Sequence, residues 1–201
     1  MIKCILFDLG GVIIDYADDR YYYPYLAKIS GVPMRKVMDM IENRMEVPLD
    51  KDTILQKDFN EAVADRLGIR PSQVMWYEIY EKRGKPDRGT LGVVRRLRKN
   101  YSVSYLSNVD RSRYSWSVKL LRPYLKLFDH RLASCEIRLR KPSAAVYKYA
   151  LKRMRLKSSE VVFVDNLLIN VRGARRAGIK SILFTSSKDL ERKLRKMGVR
   201  I

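Results

Sequence analysis

Short apolar runs alternate with stretches of helical periodicity along this chain, and the rhythm changes once. Ile2 to Phe7 is a short, mostly apolar run followed by Gly10-Gly11, the pattern of a strand buried on both faces. The next run of that kind begins only at Tyr101. Between them, over residues 16–86, apolar positions recur at helical spacing: Tyr25, Leu26 and Ile29; Val37, Met38 and Ile41; Ile54, Leu55, Phe59, Val63 and Leu67; Val74, Trp76, Tyr77 and Tyr80. Pro33 and Pro71 stand where helices start, and Gly31, Gly68 and Gly84 where they stop.

From Thr90 onward helices and strands alternate. The pattern predicts helices over 90–99, 113–125, 143–154, 168–177 and 187–197, with strands over 101–106, 130–134, 161–164 and 180–184. Such alternation implies right-handed crossovers and a parallel sheet covered on both faces. The expected fold is therefore α/β, a doubly wound parallel sheet of Rossmann-like form, with a helical cap. The core takes residues 1–15 and 87–201 and the cap residues 16–86.

In an open parallel sheet the carboxyl ends of neighbouring strands meet at one crevice. Four segments place polar residues there. Asp8 follows Ile5-Leu6-Phe7 and precedes two glycines, so the backbone can turn sharply beside a ligand, and a carboxylate so placed can attack an electrophile or simply cap the turn. Ser107 and Asn108 close the second strand, where a hydroxyl and amides can hold an anion. Lys141 precedes Pro142 in the expected first turn of helix 143–154. Its ammonium can neutralise charge in the crevice, although an isolated lysine is more often a solvated surface charge. Asp165 ends Val161-Val162-Phe163-Val164, the place for a Mg2+ ligand or a helix N-cap.

Composition adds an unusual charge. The chain has 42 Lys and Arg against 22 Asp and Glu, a formal net charge of +20 over 201 residues, which favours anionic partners and says little about fold. The basic residues are dispersed along the chain, as on solvated helix faces. Two cysteines give no disulfide framework. No window approaches a membrane span and the amino terminus enters a strand directly, so a cytoplasmic protein with no membrane partner is expected.

Together, Phe7-Asp8-Leu9-Gly10-Gly11-Val12, Leu106-Ser107-Asn108, Arg140-Lys141-Pro142 and Phe163-Val164-Asp165-Asn166, with Asn170-Val171-Arg172-Gly173-Ala174, closely resemble the haloacid dehalogenase-like hydrolase superfamily and its capped phosphatases. That resemblance implies Asp8 as the nucleophile that becomes an aspartyl phosphate. It implies Ser107 and Asn108 as phosphate-binding, Lys141 as orienting and neutralising, and Asp8, Asp165 and Asn166 around Mg2+. The expected partner is a small phosphorylated substrate. Two positions depart from the phosphatase pattern: Gly10 stands where a second Asp acts as general acid and base, and Asn166 where many relatives have an acid.

Those departures, with the +20 charge, support a second reading, a catalytically weakened binding module for nucleic acid or another polyanion. The cap aromatics Tyr21-Tyr22-Tyr23, Tyr25, Trp76-Tyr77 and Tyr80 would then serve as stacking surfaces. A third reading is a 2-haloacid dehalogenase. The substrate and the oligomeric state are not legible.

Overall fold

A computed structural model describes residues 1–15 and 21–201; the first five residues of the expected cap, 16–20, lie outside the described residues. Its strands are β1 (Cys4–Phe7), β2 (Ile14–Asp15), β3 (Lys85–Pro86), β4 (Ser102–Ser107), β5 (Arg131–Ala133), β6 (Val161–Asp165) and β7 (Lys180–Leu183). Five of them form one parallel sheet in the order β5-β4-β1-β6-β7. β1 lies at its centre with all four residues fully buried.

Side chains alternate across a strand, and here the alternation sorts two helical layers. Cys4 and Leu6 point toward α9 (Ala144–Met154) and α10 (Leu168–Arg176), packing with Val146, Tyr147, Ala150 and Ala174. Ile5 and Phe7 point toward α6 (Arg88–Leu97) and α11 (Ser187–Lys196), packing with Leu91, Val94, Leu190 and Leu194. Each fully buried Leu, Ile or Phe contributes about 1.5–3 kcal/mol relative to exposure. This is the doubly wound arrangement that the alternating pattern predicts.

Between β2 and β3 run α1 (Tyr23–Ser30), α2 (Met34–Met40), α3 (Glu46–Asp50), α4 (Gln56–Leu67) and α5 (Trp76–Arg83). Trp76 anchors them, its ring centroid 4.9 Å from those of both Tyr22 and Phe59. Tyr22, Tyr23, Trp76 and Tyr80 are all buried, so burial removes these four from any stacking platform. Gly31 and Gly68 end α1 and α4 in the left-handed conformation, at φ 71° and 63°. A purely helical insertion over 16–86 is corrected by β3, which pairs antiparallel with β2 and draws the two ends of the insertion together.

Three further boundaries move for identifiable reasons. Asp87 and Asp110 accept hydrogen bonds from the Thr90 and Arg113 amides, so α6 begins at Arg88 and α7 (Arg111–Leu120) at Arg111, each two residues early. Pro123 ends α7 in a 3-10 stretch over Arg122–Leu127. Pro142 lies outside α9, because Ser143 is the residue that caps it. A short helix, α8 (Ser134–Ile137), follows β5 directly.

Candidate active site

The crevice is set by register. Phe7 lies level with Tyr105 of β4 and Val164 of β6, and the Asp8 amide donates to the Val164 carbonyl at 2.8 Å. Asp8, Ser107 and Asp165 thus leave three adjacent strands at one edge. Lys141 enters from the loop before α9 and lies between the two acids, with Nζ 2.8 Å from both Asp8 Oδ1 and Asp165 Oδ2. It is 1% exposed, so the alternative of a solvated surface lysine does not hold.

The two acids are not equivalent. Asp165 Oδ1 accepts from the Leu167 amide at 2.8 Å and Oδ2 from Lys141, while Asn170 Nδ2 lies 3.2 and 3.1 Å from the two oxygens. Asp8 Oδ1 accepts from the Leu9 amide at 2.7 Å and from Lys141. Asp8 Oδ2 accepts no hydrogen bond from the described residues. One oxygen of Asp8 is held by two donors and the other by none of the described residues.

Burial pushes the Asp8 carboxyl up to about 7, and the charge of Asp165 adds to that rise, while Lys141 and the Leu9 amide oppose it. Burial alone would push Lys141 down, but Asp165 and Asp8 more than offset it and hold its ammonium above the usual lysine range.

The remaining expected residues separate into distinct roles. Ser107 is 3% exposed, and among the described residues its hydroxyl has no hydrogen-bond partner. Asn108 spends its side chain on the Lys141 peptide: Nδ2 donates to the Lys141 carbonyl at 3.0 Å and Oδ1 accepts from the Lys141 amide at 2.8 Å. It fixes the lysine loop. Asn166 is exposed and lies against Gly11, where a Cβ would come within 2.5 Å of its Nδ2. Gly11 also has φ 70°, so two separate demands exclude a larger side chain there.

In the sequence Asn170 stands only within the Asn170-Val171-Arg172-Gly173-Ala174 stretch of the resemblance; the structure makes it the residue that orients Asp165. Tyr147 donates to the Asn170 carbonyl at 2.8 Å and steadies that helical turn. Gly173 lets α10 approach the lysine loop, since a Cβ there would lie 2.7 Å from the Pro142 carbonyl oxygen. Gly173 thus serves contact with that loop, while Ala174 packs against the sheet. A signal for Asn170 was present in its position five residues after Asp165.

A second buried charge cluster lies where the insertion meets the core. Arg113 of α7 forms a close ion pair with Asp110, reaches Glu46 at 2.8 Å and Asp50 at 3.1 Å, and lies 4.4 Å from the Trp76 ring centroid. Arg140, next to Lys141, reaches Asp50 at 2.8 Å and Glu46 at 3.3 Å. Asp110 also accepts from Trp76 Nε1 at 3.1 Å. Arg113 and Trp76 therefore occupy both oxygens of Asp110. Asp15 is part-exposed, with Lys85 at 3.8 Å.

Known proteins resemble this chain over most of its length. The family model described as haloacid dehalogenase-like hydrolase matches residues 2–178. Drimenol cyclase drtB of Aspergillus calidoustus is 24% identical over 199 residues, 96% of this chain and 36% of that protein, so the chain spans about a third of this relative. D-ribitol-5-phosphate phosphatase of Bacteroides thetaiotaomicron is 22% identical over 203 residues, 96% of this chain and 97% of that one. Among solved structures, a HAD family enzyme of the same organism, in complex with magnesium and inorganic phosphate, superposes with a TM-score of 0.73 at 23% identity. It covers 92% of this chain and 95% of its own.

Proposed function

The chain belongs to the haloacid dehalogenase-like hydrolases, and from that membership we propose that it is a phosphatase of small phosphorylated substrates, acting through Asp8. The observation that carries this is the asymmetry of Asp8: Oδ1 is pinned by Lys141 and the Leu9 amide, while Oδ2 is left for an electrophile. Oδ2 attacks phosphorus, the alkoxide or phenolate leaves, and water then hydrolyses the aspartyl phosphate and regenerates the carboxylate. Lys141 offsets the negative charge gathering between Asp8 and the phosphoryl oxygens. The Ser107 hydroxyl and nearby backbone amides receive those oxygens. Helices α1–α5 act as the cap, closing over the crevice and excluding water.

Among the described residues no three His, Cys, Asp or Glu form a cluster able to hold a metal by themselves. The donors fit Mg2+ nonetheless, since this hard cation keeps several waters and takes one or two carboxylates with substrate phosphate. The Asp8 carboxylate and the Asn166 amide oxygen would hold it at this rim, with Asp165 supplying charge behind them. Bound Mg2+ would add positive charge against the phosphoryl oxygens.

Gly10 places no carboxylate beside the leaving group, and a general acid is worth roughly 10²–10⁴-fold. The test is hydrolysis of p-nitrophenyl phosphate and an alkyl phosphate panel with Mg2+ and with chelator. Mg2+-dependent turnover that is much faster on aryl than on alkyl esters is expected. No turnover on any phosphate ester would overturn the reading, and equal rates across leaving groups would place a proton donor elsewhere in the site.

A further inference from the structure

We propose that the outer face of the α9–α10 layer is a docking surface for an anionic phospholipid membrane. At 100° per residue, Leu168, Ile169, Arg172, Arg175 and Arg176 of α10 fall within one arc of about 120°, and all five are exposed. Asn170, Val171, Gly173 and Ala174 take the opposite side and are buried. On α9 the outward positions include Lys148, Tyr149, Lys152 and Arg153, against buried Val146, Tyr147, Ala150 and Met154. Neither outward arc holds an Asp or Glu. Among the described residues none of the six cations pairs with an acid.

The opposite layer shows what a self-neutralised face looks like. On α11, Asp189 pairs with Arg192 and, at 2.5 Å, with Lys193, while Glu191 pairs with Arg195 at 3.4 Å and with Arg96 of α6. On α9 and α10 the equivalent spacing holds Lys148 with Lys152 and Arg172 with Arg176, pairs that repel. Folding therefore collects on one face a share of the +20 charge that looked dispersed along the chain.

Charge alone would suit any polyanion; a second feature selects among them. Leu167, Leu168 and Ile169 are consecutive and 52%, 43% and 57% exposed, at the start of the same layer. A nucleic acid backbone makes no use of such a triplet, whereas a bilayer takes apolar side chains at the acyl boundary and cations among its headgroups. No helix among the described residues is long and apolar enough to cross a membrane, so the contact is peripheral. An expectation of no membrane partner drawn from span length does not bear on such a surface. The triplet follows Asp165-Asn166 directly, so docking brings the crevice mouth toward the bilayer. This surface stands independently of the chemistry at Asp8.

Vesicle co-sedimentation of the whole chain tests it, using phosphatidylcholine vesicles with and without about 30% phosphatidylserine at about 0.15 M salt. Pelleting only with phosphatidylserine is expected. Each removed cation should weaken affinity about fivefold, so Lys152→Gln/Arg176→Gln should lose more than tenfold. Leu168→Ser/Ile169→Ser should lose binding at the same salt while keeping the wild-type circular dichroism and Tm. The proposal is overturned by absent pelleting, by equal pelleting with neutral vesicles, or by full binding in the Leu168→Ser/Ile169→Ser variant. Binding of a short RNA or DNA duplex in place of vesicles would reassign the face to nucleic acid.

Discussion

Two buried charge clusters lie side by side in this protein with the same formal imbalance and opposite consequences. Lys141 faces two acids, Asp8 and Asp165; Arg113 and Arg140 face three, Glu46, Asp50 and Asp110. Each carries one negative charge in excess. The difference lies in donor geometry. An arginine presents five N–H groups in a fixed fork, a lysine three on a compact point charge. Two forks saturate the junction: both oxygens of Asp50 and both of Glu46 hold guanidinium hydrogens. One ammonium leaves Asp8 with a free oxygen. The proposed reactivity therefore resides where an acid is buried with one oxygen unclaimed, and a joint forms where every carboxylate oxygen has a donor.

The sharpest way to break this comparison is to alter the unsatisfied acid. Asp8→Asn keeps the shape and removes the attacking charge, so kcat on p-nitrophenyl phosphate should fall on the scale set by loss of a covalent nucleophile, roughly 10⁶-fold. Wild-type turnover from the purified variant would remove Asp8 from the nucleophile role. The same substitution should leave the circular dichroism spectrum unchanged.

The joint should respond in the opposite sense. Arg113→Met keeps an apolar stem against Trp76 but strands Asp50, Asp110 and Glu46 with too few donors. Breaking a buried pair this way costs about 3–5 kcal/mol, which lowers Tm by roughly 10 °C in a chain of this size. The kcat of the folded fraction should stay within about tenfold, or about 1.4 kcal/mol, of wild type. A variant that melts normally but has lost turnover would show that the junction takes part in the chemistry.

How much of this was legible in the sequence follows from the range of each interaction. Asp8, Ser107, Lys141 and Asp165 were readable because each lies at the end of a strand or in the loop just before a helix, and strand ends of one parallel sheet converge whatever intervenes. The two-layer core was readable because period two and period 3.6 are local signals. The junction was not. Arg113 sits in a helix of weak amphipathicity, and its partners lie 63 and 67 positions away in the insertion, so no local pattern marks it as buried. Asn108 was read as a phosphate donor because its neighbour Ser107 suggests anion binding; that its amide is consumed by the Lys141 peptide depends on how two loops meet. The β2–β3 pairing failed for a related reason: two-residue strands 70 positions apart have no periodicity.

The smallest expected effect concerns pH and separates the two clusters by stability alone. Asp8 has a folded-state pKa raised by burial and by Asp165 to about 7, above its ordinary value of 3.8. The folded protein therefore holds that proton more tightly than the unfolded chain does. Stability from this source is fully present below the ordinary carboxylate range and is lost as pH rises through about 7. Asp50 contributes with the same sign, since burial and Glu46 raise it against the pull of Arg113 and Arg140. The wild-type curve thus mixes both clusters, and the difference between wild type and Asp8→Asn isolates the first. In metal-free buffer, wild-type Tm should fall by several degrees more than that of Asp8→Asn between about pH 5 and pH 8. Parallel curves for the two proteins would mean that Lys141 already compensates Asp8 in full, and the unsatisfied oxygen would then carry no energetic cost in the folded state.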